Sequence, residues 1–249
     1  MIFVKAEGLK RVCPDGTEIK DISFEISEKG IYGFLTKNVA EKTELAKLLA
    51  GISEPDGGEL IYKERAMLTS DKQTAQIKKK IGYVPQKCFF DSDMTAFEAL
   101  DFVGKAKNID PDKRFRQIKE ALELTGISKR KNTLVSDLSI SETRKLSLAA
   151  SLLGNPDVII MDDPLRSLDK VQAQNVSRVI ELLGTKKVVL IFSTRPSEIE
   201  ELCAHVAIIA NGELAVWGEV DEILKKLKAS GFSGLSDALD AFSDIGEEE

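Results

Sequence analysis

Residues Leu138–Asp169, LSISETRKLSLAASLLGNPDVIIMDDPLRSLD, read as a capped helix, a loop, a buried strand and an acidic turn. Ser139 followed by Glu142 has the spacing of a capping box, in which each residue satisfies an amide of the other. Leu146, Leu148, Ala149, Leu152 and Leu153 give the helix an apolar side. Asn155-Pro156 breaks the chain, and Val158 to Met161 is an apolar run without polar alternation. Such a run is expected of a central strand in a parallel sheet, covered on both faces. Asp162, Asp163 and Pro164 follow at once, where open α/β sheets place their ligands. The stretch predicts an α/β protein with a site at the end of this strand.

A second strand, turn and helix lie upstream in Ile31 to Gly51, IYGFLTKNVAEKTELAKLLAG. Ile31 to Leu35 is apolar, Leu45, Leu48 and Leu49 share one helical side, and Lys42-Thr43 lies between them. This is the context of a phosphate-binding loop, G-x-x-x-x-G-K-[ST], whose glycines let backbone amides crowd around phosphate. Thr36 and Glu41 stand at its two glycine positions. Each brings a Cβ into space that phosphate needs, and Glu41 adds a carboxylate. Two like charges ~4 Å apart repel by roughly 1 kcal/mol in bulk water and ~4 at an effective dielectric of 20. Lys42 and Thr43 keep the groups that reach phosphate and Mg²⁺.

Elsewhere the chain alternates strand and helix signals. Ile2 to Ala6, Ile19 to Ile26, Glu59 to Tyr62 and Ile81 to Gln86 read as strands, the third after the turn cluster Gly51 to Gly58. From Asp93 to about Val135 the pattern is helical. Thr95 caps a helix with Phe97, Leu100, Phe102 and Val103, and Asp110-Pro111 opens one with Phe115, Ile118, Leu122 and Leu124. A helix over Val171 to Leu183, a strand over Val188 to Phe192 and a short helix over Glu198 to Cys203 follow. Asn211-Gly212 joins strands Ala207 to Ala210 and Leu214 to Trp217 as a hairpin. Val220 to Leu227 is helical; beyond Gly231, Leu235, Leu239 and Phe242 suggest one more amphipathic helix before the solvated end Gly246 to Glu249.

Composition narrows the class. The 249 residues can bury a large core, and 43% hydrophobic with 31% charged residues suits a soluble globular protein. A net charge of -6 argues against general nucleic-acid binding, which needs a basic surface. Cys13, Cys88 and Cys203 are odd in number and lack metal spacing, so they read as reduced thiols of an intracellular protein. No apolar run approaches the ~20 residues that span a bilayer, so a membrane connection would run through a partner. The one histidine, His205, starts a strand and reads as structural or surface.

Taken together, the loop at Thr36 to Thr43, Gln86 at the end of IGYVPQ, LSISE at 138–142, VIIMDDP at 158–164 and SLD at 167–169 resemble an ABC-transporter ATPase. These would be its Walker A loop, Q-loop, signature, Walker B strand and D-loop, in the family's order across residues 3 to about 228. The phrase DMTAFEALDF at 93–102 resembles the corresponding segment of ABC-2-type exporter subunits. The resemblance implies a P-loop NTPase-like α/β core with a mixed sheet, an antiparallel β-subdomain and a helical subdomain at about 87–137. Residues 1–228 would form this domain and 229–249 a C-terminal tail.

It further implies ATP and Mg²⁺ as cofactors. Asn38, Lys42, Thr43 and Ser139 would contact nucleotide; Thr43, Gln86 and Asp162 would hold Mg²⁺; Asp163, Gln86 and Arg195 would carry catalysis. Several positions depart from the family pattern. Val39 stands at a further glycine, and Ile140 and Glu142 replace a glycine and a glutamine of the signature. Asp163 replaces the glutamate that polarises the attacking water, one methylene shorter, and a misplacement of about 1 Å can cost about a hundredfold in rate. Arg195 stands where the family has a histidine, and Val12 or Cys13 where an aromatic stacks on adenine. The expected protein is a subunit with weak or lost ATPase, acting as scaffold or regulator beside a permease at the inner membrane face. A second copy of itself, or an intact ABC ATPase, would be its other partner. Phe89 and Phe90, beside Gln86, are the candidates for a partner-facing patch, with core packing expected for at least two of Phe89, Phe90, Phe97 and Phe102. The alternatives are a working ATPase with non-standard residues and a soluble interaction module of the same descent.

Overall fold

The structure, a computed structural model, describes residues 2–13, 15–67, 70–88 and 90–244. Phe89 and Gly246 to Glu249 lie outside the described residues. Three strands begin the chain: β1 (Val4–Val12), β2 (Glu18–Ile26) and β3 (Gly30–Leu35). Then come α1 (Val39–Leu49), β4 (Gly57–Tyr62), β5 (Arg65–Ala66), α2 (Asp71–Lys78) and β6 (Ile81–Val84). The middle of the chain is helical, with α3 (Ala96–Ala106), α4 (Pro111–Leu124) and α5 (Ile140–Leu152). The last third alternates: β7 (Val158–Asp162), α6 (Lys170–Gly184), β8 (Val188–Ser193), α7 (Pro196–Leu202), β9 (His205–Ala210), β10 (Glu213–Glu219), α8 (Val220–Ala229) and α9 (Leu235–Asp244).

The strands form one sheet in the order β5-β4-β1-β2-β10-β9-β3-β8-β7-β6. Strands β3, β6, β7, β8 and β9 pair in parallel, and β1, β2, β4 and β5 pair antiparallel. This is the expected mixed sheet with an antiparallel wing. Every residue of β7 and β8 is buried, as their unbroken apolar runs require. In β6, a Cβ on Gly82 would lie 2.4 Å from the Ser151 carbonyl oxygen, so only glycine lets α5 sit this close to the strand.

Two apolar layers cover the sheet, and a third core joins Ala96, Leu100, Ile118, Leu122, Leu146 and Leu153 of α3, α4 and α5 and the residue after α5. Helix α5 serves both sides: Leu148 packs in the sheet core while Leu146 and Ala149 pack in the helical one. The capping box read from sequence is formed, Ser139 with Glu142 on α5, and Thr95 caps α3 as expected, there in a second box with Glu98. Phe90 and Phe97 pack partly buried against the helical core, whereas Phe102 is 61% exposed. The C-terminal helix α9 does not hang free: Leu235, Ala238 and Leu239 are buried in the same layer as α7 and α8. Helix α2 was not expected, because DKQTAQIK lacks an apolar stripe; among its described side chains, Thr74 and Ile77 are the buried ones.

Candidate active site at the strand carboxyl ends

The registers that align Leu35 with Ser193 and Asp162 with Phe192 bring the ends of β3, β7 and β8 side by side. Lys42, in the first turns of α1, lies against the acids that end β7. Its Nζ is 2.6 Å from Asp162 Oδ1 and also donates to Asp163 Oδ2, with the lysine side chain wholly buried. Thr43 Oγ1 donates to Asp162 Oδ2 at 2.9 Å, and Gln86 Nε2 to Asp163 Oδ2 at 2.7 Å. Thus the structure brings together Lys42, Thr43, Gln86, Asp162 and Asp163 of the expected set. It adds Arg166, whose Nη1 lies 3.4 Å from Asp163 Oδ2. Nothing in the sequence flags Arg166, since its approach depends on the turn at Asp163, which holds a left-handed φ of 49°.

The expectation that Glu41 faces the phosphate space is corrected. Its carboxylate turns inward and is 2% exposed: Oε2 accepts from Thr36 Oγ1 at 2.5 Å, and Oε1 from the Gly212 amide at 2.8 Å. Burial pushes its pKa up, against the pull of those two hydrogen bonds and of Lys20. Asn38 caps α1, its Oδ1 accepting from the amides of Ala40 at 2.9 Å and Glu41 at 3.2 Å. No residue from Thr36 to Thr43 has positive φ, so the segment closes as a helix turn where glycines would form an open nest. Beside it lies a cavity of about 600 Å³ lined among others by Thr17, Lys20, Asn38, Glu41, Gly212 and Ser243.

Arg195 and Ser139 stand outside this cluster of contacts. Arg195 Nη2, just before α7, pairs with Glu198 of that helix, and Ser193 Oγ donates to the same buried carboxyl. Burial raises the Glu198 pKa, opposed by Ser193 and Arg195 and reinforced by the charge of Asp163. Ser139 Oγ is engaged within the capping box, donating to Glu142 Oε2 at 3.0 Å and accepting from the Glu142 amide at 3.3 Å. Arg130 holds that glutamate from outside at 2.6 Å, and Ile140 is 66% exposed. Val12 is exposed and Cys13 buried, neither a ring for a base to stack on. His205 is structural, stacked on Tyr32 at 4.8 Å between ring centroids.

The donor set fits a hard cation. Asp162, Thr43 and Gln86 offer oxygens of the kind Mg²⁺ prefers, and Asp163 Oδ1 is buried without a hydrogen-bond partner. The phosphate side fits less well, since two loop amides are filled by Asn38 and the Lys42 ammonium by two carboxylates. Beside Gln86, a second cavity of about 400 Å³ opens between sheet and helical layers, lined by Ile52, Tyr83, Pro85, Phe90, Val103 and Lys107 among others. Arg144 of α5 fixes the segment that follows β6, donating to the carbonyls of Pro85 at 3.0 Å and Gln86 at 2.8 Å.

The family model described as ABC transporter matches residues 19–166, and the chain belongs to this family of transporter ATP-binding proteins. The chain is 27% identical over 226 residues to the linearmycin resistance ATP-binding protein LnrL of Bacillus subtilis, covering 90% of this chain and 72% of that protein. It is 28% identical over 224 residues to a Nod factor export ATP-binding protein I of Ralstonia nicotianae, covering 89% and 68%. It spans 58% of a third relative, a Synechocystis ABC transporter ATP-binding protein. Among solved structures, cbiO1 from Clostridium perfringens, part of the ABC transporter complex cbiONQ, superposes with a TM-score of 0.78. Identity there is 21%, with 92% of this chain and 95% of that chain covered, so the likeness concerns fold. Among the described residues no helix is long and apolar enough to cross a membrane.

Proposed function

We propose that this chain is the nucleotide-binding-type subunit of an export-class ABC transporter in which ATP binding and hydrolysis are weakened or lost, and that it serves a permease as scaffold or regulator. The observation that carries this reading is the occupation of the phosphate-directed groups by the protein itself: Lys42 by Asp162 and Asp163, and the amides of Ala40 and Glu41 by Asn38. A triphosphate must displace two buried carboxylates before it meets Lys42, and a buried charge left without its partner typically costs about 3–5 kcal/mol. Asp163 is held by Lys42, Gln86 and Arg166, and Arg195 by Glu198. These contacts leave the groups expected to orient water and γ-phosphate already committed.

The cavity with Ile52, Phe90 and Val103 offers an apolar surface for a permease segment. Docking there places the subunit at the inner face of the membrane. The second ATPase position is filled by another copy of this chain or by an intact ABC ATPase. Calorimetry with Mg-ATP tests the reading. No binding by the native protein is the expected result; micromolar binding by the native protein refutes it.

One observation favours a second reading, a working ATPase with non-standard residues. Asp163 Oδ1 is buried and unpaired beside the oxygens of Thr43 and Asp162, a donor arrangement that a cation would complete. That reading requires Mg-ATP turnover which disappears in Lys42→Ala.

A further inference from the structure

Among the described residues, two separate polar connections run from α9 to the loop at residues 36–41. The first begins at the end of α9, where Asn211 Nδ2 donates to the carbonyls of Phe242 at 3.3 Å and Ser243 at 3.4 Å. Asn211 and Gly212 form the β9–β10 turn with φ of 53° and 83°. The Gly212 amide donates to Glu41 Oε1, Glu41 Oε2 accepts from Thr36 Oγ1, and Thr36 Oγ1 accepts from the Asn38 amide at 3.2 Å. The second connection is direct: Lys37 Nζ lies 2.7 Å from Asp240 Oδ1 on α9. Ser243 of α9 lines the cavity beside the loop, so the helix end also forms part of its wall.

We propose that α9 is an intramolecular latch that holds the loop 36–41 in its self-capped helical form. The proposal rests on the preceding reading only in taking the loop as closed in the native protein. The anchor of the latch is firm, because Leu235, Ala238 and Leu239 are buried and the Leu235 amide donates to Glu200 Oε1 at 3.0 Å. Its tip is the adjustable part, since Lys37 and Asp240 have side chains 43% and 59% exposed. Displacing the tip removes the Asn211 and Lys37 contacts while leaving the packed first turn in place. Glu41, the residue that most departs from a phosphate loop, is on this reading the receptor for the turn that α9 holds.

The test uses the full chain and amide hydrogen exchange at residues 38–42. Asp240→Lys, Lys37→Glu, the swap carrying both, and Asp240→Lys combined with Asn211→Gly are compared, glycine preserving the positive φ of the turn. The latch predicts exchange faster by about fivefold in each single variant, since an exposed pair contributes up to ~1 kcal/mol. It predicts recovery in the swap and a larger increase when Asn211→Gly is added, all with the melting temperature held within a few degrees. Unchanged exchange in the combined variant, or no recovery in the swap, overturns the latch. Inorganic phosphate and Mg-ATP, added to each variant, separate the two proposals. Tight Mg-ATP binding by the native protein refutes the closed-loop reading, whereas absent binding with unchanged exchange refutes only the latch.

Discussion

Lys42 is the residue whose environment says most about this protein. Wholly buried between Asp162 and Asp163, it neutralises charge that would otherwise stand alone in the interior. Lys42→Met should therefore destabilise the fold by about 3–5 kcal/mol, measured by urea unfolding, because it removes the buried cation between two buried carboxylates and leaves them the neutral donors Thr43 and Gln86, with Arg166 3.4 Å from Asp163. A lysine serving ligand alone would leave stability unchanged. Lys107 gives a pH signature. Burial pushes its pKa down to about 8, and its Nζ donates to the Leu153 carbonyl at 2.8 Å. A lysine depressed in the folded state stabilises above its ordinary value of 10.5, and that contribution is lost as pH falls through about 8. Lys107→Met should thus raise the melting temperature at pH 7 more than at pH 10. Glu41 works in the opposite sense. Its raised pKa favours the fold below the ordinary 4.5, and the gain disappears as pH rises through the raised value. Glu41→Gln should consequently be tolerated better at pH 8 than at pH 4, followed by thermal melts.

At the scale of elements, local sequence rules held where contacts are local. Ser139 and Glu142 cap α5 within one turn, and Ser139→Ala should cost about 1 kcal/mol, read from the denaturation midpoint. The strand β7 and its acidic end were legible because apolar run, turn and helix are contiguous. Glu41 was not legible in the same way: its partner Gly212 lies 171 residues later, and only the folded sheet brings the β9–β10 turn beneath the loop. Arg195 was placed by homology of position alone, and the nearby Glu198, one helical turn on, captured it. Helix α2 escaped notice because its formation depends on Ser70 capping and on packing of Ile77 and carries no amphipathic pattern.

On the scale of the whole molecule, α5 decides how the parts unfold. It shares its residues between the sheet core and the helical core, so the two layers cannot separate without exposing its apolar sides. Leu100→Ala, buried in the helical core, should destabilise the entire chain by 2–5 kcal/mol in a single calorimetric transition. An independent melting of residues around α3 and α4, ahead of the sheet, would contradict this coupling.

The aromatic stack beneath the sheet has a practical consequence. Trp217 is the chain's one tryptophan, 5.5 Å from Phe24 and 6.0 Å from Tyr32 between ring centroids, with His205 at 6.4 Å. Its ring sits where β2, β3, β9 and β10 meet, on the same hairpin whose turn carries Asn211 and Gly212. The molecule therefore carries its own optical gauge. Emission from this single indole should follow disturbance of the hairpin and stay silent to events confined to α3 and α4, with no label attached.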